Sequence, residues 1–299
     1  MSVNIRAAWR GVSLIEVVVV VVLLGVIGGA VASALVHQQR FAGDTAELIS
    51  ARYGVRDAME VLSTDIRGSS SSDTIRLMAD SAIELFTGIG TSVVCRTASS
   101  STFALAEESP GNTLGSFLLY PDTGDIALLY RDSADAAGSH WERNRIAAFT
   151  PSAASAGCLL YGMDPTEGFM LTLREAPRSS VRPGTPVRFV RRGRYSLYRS
   201  SDAEWYLGYR RCNAVGPPGC GTIQPVSGPY RRYSPDASRT GFLFEYFDTG
   251  GERVLGDSPL GVARVDLRSR AESRHRRRIA ATESPIAASA ASSIAIRNR

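Results

Sequence analysis

The sequence predicts an α+β protein in which one long N-terminal helix precedes a β-rich globular head. Three features predict it. A 23-residue apolar stretch, Leu14 to Val36, carries Glu16 as its only charge. From His37 to about Ile66 the pattern becomes amphipathic, and beyond residue 73 short strand-favouring segments alternate with turn signals. The 299 residues suit one medium domain or two small ones. With 44% hydrophobic and 21% charged residues, most of the chain has enough apolar surface to fold rather than stay disordered.

The apolar stretch is long enough to cross a bilayer as a helix at about 1.5 Å per residue. Six consecutive valines, Val17 to Val22, make a poor helix in water. In lipid the backbone must bond to itself, so helix is the single-segment solution. An ordinary signal peptide is shorter and ends in a small-x-small cleavage site. Ala30, Ala32 and Ala34 keep that alternative open. Glu16 is the anomaly, because a carboxylate near the centre of a membrane helix costs roughly 2.5–3.5 kcal/mol, and less near an end. It calls for a partner. Gly25 and Gly29 form a small-xxx-small spacing that would permit close helix packing.

Gly11-Val12-Ser13-Leu14-Ile15-Glu16, preceded by a short basic leader with Arg6 and Arg10, resembles the cleavage and methylation motif of type IV pilin-like prepilins. The resemblance implies that a prepilin peptidase cuts after Gly11 and methylates Val12 as the new N-terminus. Family members usually begin with phenylalanine at that place. It implies further that Glu16, fifth in the mature chain, neutralises the N-terminal amine of a neighbouring subunit during assembly. Such a pair offsets part of the cost of burying either charge, whereas either charge alone is strongly penalised.

From His37 the residues Leu48, Val55, Met59, Leu62 and Ile66 share one helix face. Gly68 and the serines Ser69 to Ser72 end it. The expected organisation is a leader at 1–11 and a helix at 12–67, roughly 80 Å long. That helix is transmembrane at about 14–36 and amphipathic at about 37–66. The head occupies 68–299, with a basic, Ala/Ser-rich region at 268–292. Strands are expected at Ala82–Phe86, Ser92–Arg96, Phe117–Tyr120, Ile126–Tyr130, Phe169–Leu173, Val187–Val190, Tyr195–Arg199, Trp205–Arg210, Gly241–Phe247 and Val262–Leu267. Ser293–Arg299 is expected as a last strand after an Ala/Ser-rich linker. The block Gly241–Leu267, with its Asp248-Thr249-Gly250-Gly251 turn, resembles the C-terminal part of W-type minor pilins and J-type minor pseudopilins. Gln224–Tyr230 resembles the W type.

Four cysteines, Cys95, Cys158, Cys212 and Cys220, allow three disulfide connectivities. Cys212 and Cys220 bracket a loop rich in Pro and Gly that favours reversal, so Cys212–Cys220 is expected and, by remainder, Cys95–Cys158. No Cys-x-x-Cys pair, His-x-x-x-His pattern, Gly-x-Ser-x-Gly elbow or phosphate-binding glycine loop occurs. Enzymatic function, a metal and a cofactor therefore lack support. Asp122 and Asp125 are spaced as weak candidate calcium ligands. The formal net charge is +5 and every basic residue is arginine. The arginine cluster at 268–278 reads as a solvated face more than a nucleic-acid site. Tyr and Arg crowd Arg191–Arg211 and Tyr230–Tyr233, where an adhesive surface competes with ordinary strand faces.

These readings converge on a minor type IV pilin that is processed by prepilin peptidase and assembled into, or priming, a filament tip. The mature chain from Val12 would have 288 residues, larger than a typical major pilin. The expected partners are the peptidase, other pilin or pseudopilin subunits, an inner-membrane assembly platform and membrane lipid. Contact with DNA or a surface has no support in the sequence. The expected location is the bacterial inner membrane, single-pass with a periplasmic head, and then a filament. The alternatives are a minor pseudopilin of a type II secretion system and a signal-anchored periplasmic binding protein or enzyme.

Overall fold

The computed structural model describes residues 13–69, 75–106, 114–132, 140–152, 168–213, 219–254, 261–279 and 282–296, and at 272–286 the backbone alone. One helix, α1, runs unbroken from Leu14 to Gly68. Ser13 caps its start, its Oγ accepting from the Glu16 backbone N–H at 3.3 Å. At the far end Ser69 takes over, its N–H donating to Asp65 O at 3.0 Å and its Oγ to Ile66 O at 2.6 Å.

The strands are β1 Leu77–Met78, β2 Ala82–Thr97, β3 Thr102–Leu105, β4 Ser116–Phe117, β5 Ile126–Arg131, β6 His140–Pro151 and β7 Phe169–Leu173. They continue with β8 Pro186–Arg199, β9 Trp205–Arg211, β10 Gln224–Tyr230, β11 Phe242–Phe247, β12 Arg264–Ile279 and β13 Thr282–Ala295. All pairings are antiparallel. The path runs β1-β2-β3-β7-β6-β5-β8-β9-β10-β12-β11, with β13 on β12 and β4 on β2. Because β2 also pairs with β8, the strands β2-β3-β7-β6-β5-β8 close into a ring.

The long strands β2 and β8 therefore serve two cores. Inside the ring lie Phe103, Leu105, Leu129, Ile146, Leu171 and Phe189, each at most 2% exposed. Beyond it the sheet continues under α1, where Leu62 and Ile66 meet Ile83, Leu85, Leu207, Phe242 and Phe244. Burying a Leu, Ile or Val there is worth about 1.5–3 kcal/mol.

The helix face that enters this core is Ala51, Val55, Ala58, Leu62 and Ile66. It is turned slightly from the predicted one. Leu48 and Met59 are only half-buried, and two alanines take central positions, because a small side chain lets the strands come close to the helix axis. Several strand expectations also change. The two segments at 82–86 and 92–96 form one strand, as do those at 187–190 and 195–199. Of Phe117–Tyr120 only Phe117 is in a strand, and Leu118 to Tyr120 form an exposed turn. The expected Ala/Ser-rich linker is strand: β13 begins at Thr282 and pairs with β12 along its length.

A candidate functional site: the exposed apolar helix and its seat in the head

From Leu14 to Val36 every residue of α1 is exposed, and the large apolar ones lie between 44% and 83% exposed. A helix that is apolar on all sides and uncovered belongs in a non-aqueous surrounding. It is long and apolar enough to cross a membrane. Glu16 sits in its first turn, where the backbone N–H groups favour a negative charge. A Cβ added at Gly25 or Gly29 would meet nothing within 4 Å, so both glycines present bare backbone outward. Gly11 and Val12, the expected cleavage site, lie outside the described residues.

The seat holds the lower half of α1 by polar contacts as well as apolar ones. Tyr195 on β8 donates its hydroxyl hydrogen to the Asp65 carboxylate. Burial pushes the Asp65 carboxyl above its ordinary range, with the Tyr195 hydrogen bond opposing that shift. The Tyr195 phenol is itself pushed up by burial first and by the neighbouring Asp65 charge second. Tyr230 at the end of β10 donates to Gly54 O at 2.8 Å and shares a 2.7 Å hydrogen bond with Ser227 Oγ.

That second contact needs a close approach. A Cβ on Gly54 would stand 3.3 Å from Gly228 O. Gly228 has φ +145°, and a Cβ there would stand 2.7 Å from the Tyr206 ring. Neither Asp65–Tyr195 nor Gly54–Tyr230 was expected from the sequence. The one available signal was an acid, Asp65, directly beside the apolar face of an amphipathic helix.

Between the two cores lies a layer of buried charge. Asp125, 1% exposed, accepts from Arg191 Nη2 at 2.7 Å and from Arg211 Nη2 at 3.1 Å, and Arg211 also reaches Asp122 at 3.1 Å. Asp125 further accepts from the Asp122 backbone N–H at 2.9 Å. Arginines and backbone donors thus occupy the two carboxylates considered for calcium. On the opposite side of the sheet from Ile83, Leu85 and Tyr195, Glu84, also 1% exposed, binds Arg192 and Arg194.

Beside Glu84, Cys212 and Cys220 form a disulfide that closes a loop of sequence separation 8. Although their sulfurs lie within 4.8 Å of the Glu84 carboxylate, disulfide sulfurs are not thiolates, and the trio is no zinc site. Cys95 is disulfide-bonded as well, and its expected partner Cys158 lies outside the described residues. His37 sits on the exposed part of α1 and His140 opens β6, 103 positions apart in sequence. No protein-family model, curated protein or solved structure matches the chain.

Proposed function

We propose that the chain is a minor type IV pilin, a structural subunit whose helix is first a membrane anchor and then part of a filament. The supporting observation is the continuity of α1. The same helix is apolar and bare from Leu14 to Val36, then enters the core of a β-rich head at Ala51 to Ile66. A detachable signal has no reason to continue as the central helix of the domain that follows it. A structural subunit does, because the head must remain fixed to the rod that carries it. Glu16, set in the first turn of the exposed apolar half, supports the same reading. Its charge would be matched by the α-amine of a neighbouring subunit on insertion into the filament.

The test is the mature N-terminus. Intact-mass and N-terminal peptide spectrometry of the membrane-extracted protein should give a chain starting at methylated Val12. A retained leader, or cleavage after Ala32 or Ala34, would refute the proposal.

A further inference from the structure

The head leaves few large apolar side chains uncovered. Among the described residues beyond α1, Leu118, Leu119, Tyr120, Tyr130 and Tyr233 are exposed, and Leu118 is the barest at 77%. Leu118 to Tyr120 follow β4 as a turn whose backbone is pinned. The N–H groups of Leu118 and Leu119 both donate to Ile89 O, at 3.0 and 3.1 Å. Phe117, just before them, packs against Phe169 and Phe189 of the ring core, with ring centroids at 5.3 and 5.8 Å. The two leucines are therefore held at the surface by a fixed backbone. A bilayer around the apolar half of α1 does not cover them. They stand beside Asp65, which is about 43 Å along the helix from Val36 at 1.5 Å per residue.

The leucines line a cleft of about 300 Å³ that also touches the last turns of α1 and the start of β10. Ile89, Pro225 and Val226 continue its apolar wall, and Asp65, Tyr195 and Tyr209 supply polar atoms. Asp65 Oδ2 accepts from the Tyr195 hydroxyl, while Oδ1 has no hydrogen-bond partner among the described residues. The Tyr209 ring lies 5.1 Å from that of Tyr195, and its hydroxyl likewise has no partner among the described residues. Neither oxygen is fully buried. No cation pairs with the Asp65 carboxylate, whose pKa is raised by burial and held back only by the Tyr195 hydrogen bond. Arg191, whose charge reaches Tyr209, is itself held by Asp125 at 2.7 Å and by Tyr120 O at 3.2 Å. The cleft thus joins a preformed apolar wall to a carboxylate oxygen that lacks a counter-charge.

We propose that this cleft binds a small organic amine, an ammonium group carried on an apolar body. The ammonium donates to Asp65 Oδ1 and to the Tyr209 hydroxyl oxygen, and it supplies the opposite charge that the half-buried carboxylate lacks. The body lies against Ile89, Leu118, Leu119 and Val226 and takes their exposed surface out of water. A cleft of this volume is at the small end of ligand pockets, so a single ring or a short chain fills it. An organic acid is repelled by the same carboxylate, and a neutral alcohol gains the apolar contact alone. A metal ion is poorly served, because Asp65 is the one carboxylate in the lining and neither sulfur nor imidazole joins it. The proposal holds whether or not the chain enters a filament.

The test uses the full chain in nanodiscs of zwitterionic lipid, with empty nanodiscs as the baseline. Ligand-observed NMR titrations at neutral pH compare phenethylamine with phenethyl alcohol, hydrocinnamate and ethylamine. Phenethylamine should bind at least about tenfold more tightly than the alcohol, and hydrocinnamate and ethylamine more weakly than either. Asp65→Asn, which keeps an acceptor for Tyr195, should bring the amine down to the affinity of the alcohol. Leu118→Ser/Leu119→Ser, confined to the exposed turn, should weaken amine and alcohol alike by about tenfold. A thermal melt checks the fold of each variant, and if either fails to fold the comparison of probes on the parent decides alone. Equal affinity of amine and alcohol in the parent would overturn the proposal. So would an amine preference that persists in folded Asp65→Asn, or unchanged binding by the folded leucine variant.

Discussion

The hydroxyl of Tyr195 on β8 is hydrogen-bonded to the carboxylate of Asp65 in the last turns of α1, 130 positions away in sequence. Tyr195 is buried and Asp65 half-buried, so removing one leaves the other short of its partner. Tyr195→Phe should therefore destabilise the head by about 1–3 kcal/mol, the cost of an unsatisfied buried acceptor. Chemical denaturation followed by far-UV circular dichroism measures it.

The same pair sets a pH dependence. The Asp65 pKa is raised in the folded state, chiefly by burial. Its contribution to stability is therefore fully present below the unfolded carboxylate pKa, about 3.9, and is lost as pH rises through the raised folded value. Asp65→Asn lacks that ionisation. Relative to the Asn variant, the parent should lose stability as pH rises from about 4. Equal slopes for the two proteins over that range would contradict the assignment.

Ala58 is fully buried at the centre of the helix seat. Ala58→Leu inserts methylenes where the sheet has no room and should cost about 1–3 kcal/mol or more. Leu62→Ala, at the next turn, should cost about 2–5 kcal/mol by leaving a cavity. Both should lower the unfolding midpoint while leaving membrane extraction of the protein unchanged, since neither touches Leu14–Val36.

Reducing Cys212–Cys220 releases a short loop, and the chain-entropy estimate for that closure is about 2.5 kcal/mol. Cys212→Ser/Cys220→Ser should lower thermal stability in step with it. A parental melting temperature in the double variant would show that the Glu84–Arg192–Arg194 cluster beside it holds the region unaided.

In assembly, Glu16→Ala should leave processing intact and reduce incorporation into filaments, measured by immunoblot of sheared filaments against whole cells. Normal incorporation would refute a pairing role for Glu16. A bulky residue in place of Gly11 should instead block maturation, seen as retention of the leader by mass.

The helix was legible because its two halves differ in periodicity while no proline interrupts them. Strands β5, β7, β9 and β11 were legible for the same kind of reason, since apolar and aromatic residues cluster between turn signals. β6 was not, because its outward positions are arginines and its core share is small. β13 was not, because Ala and Ser have little strand preference of their own. It is a strand by virtue of pairing with β12, and small residues suit a strand lying against a helix.

The closed ring was beyond the sequence altogether. It depends on β2 meeting β8 across about a hundred intervening residues. At the candidate site, Glu16 and the apolar run are plain in the residues. The polar clasp of Asp65 and Gly54 is not, because its partners come from β8 and β10.

The unbroken course of α1 into the head has a mechanical meaning. Tension applied along the apolar half is transmitted down a single hydrogen-bonded rod and reaches the head at Ala51 to Ile66, along the length of the contact rather than at one end. The interface is thus loaded in shear, with five buried side chains and two hydrogen-bonded tyrosines resisting together, instead of being peeled open one contact at a time. A subunit built this way would keep its head under pulling forces that would detach a domain hung from a flexible linker.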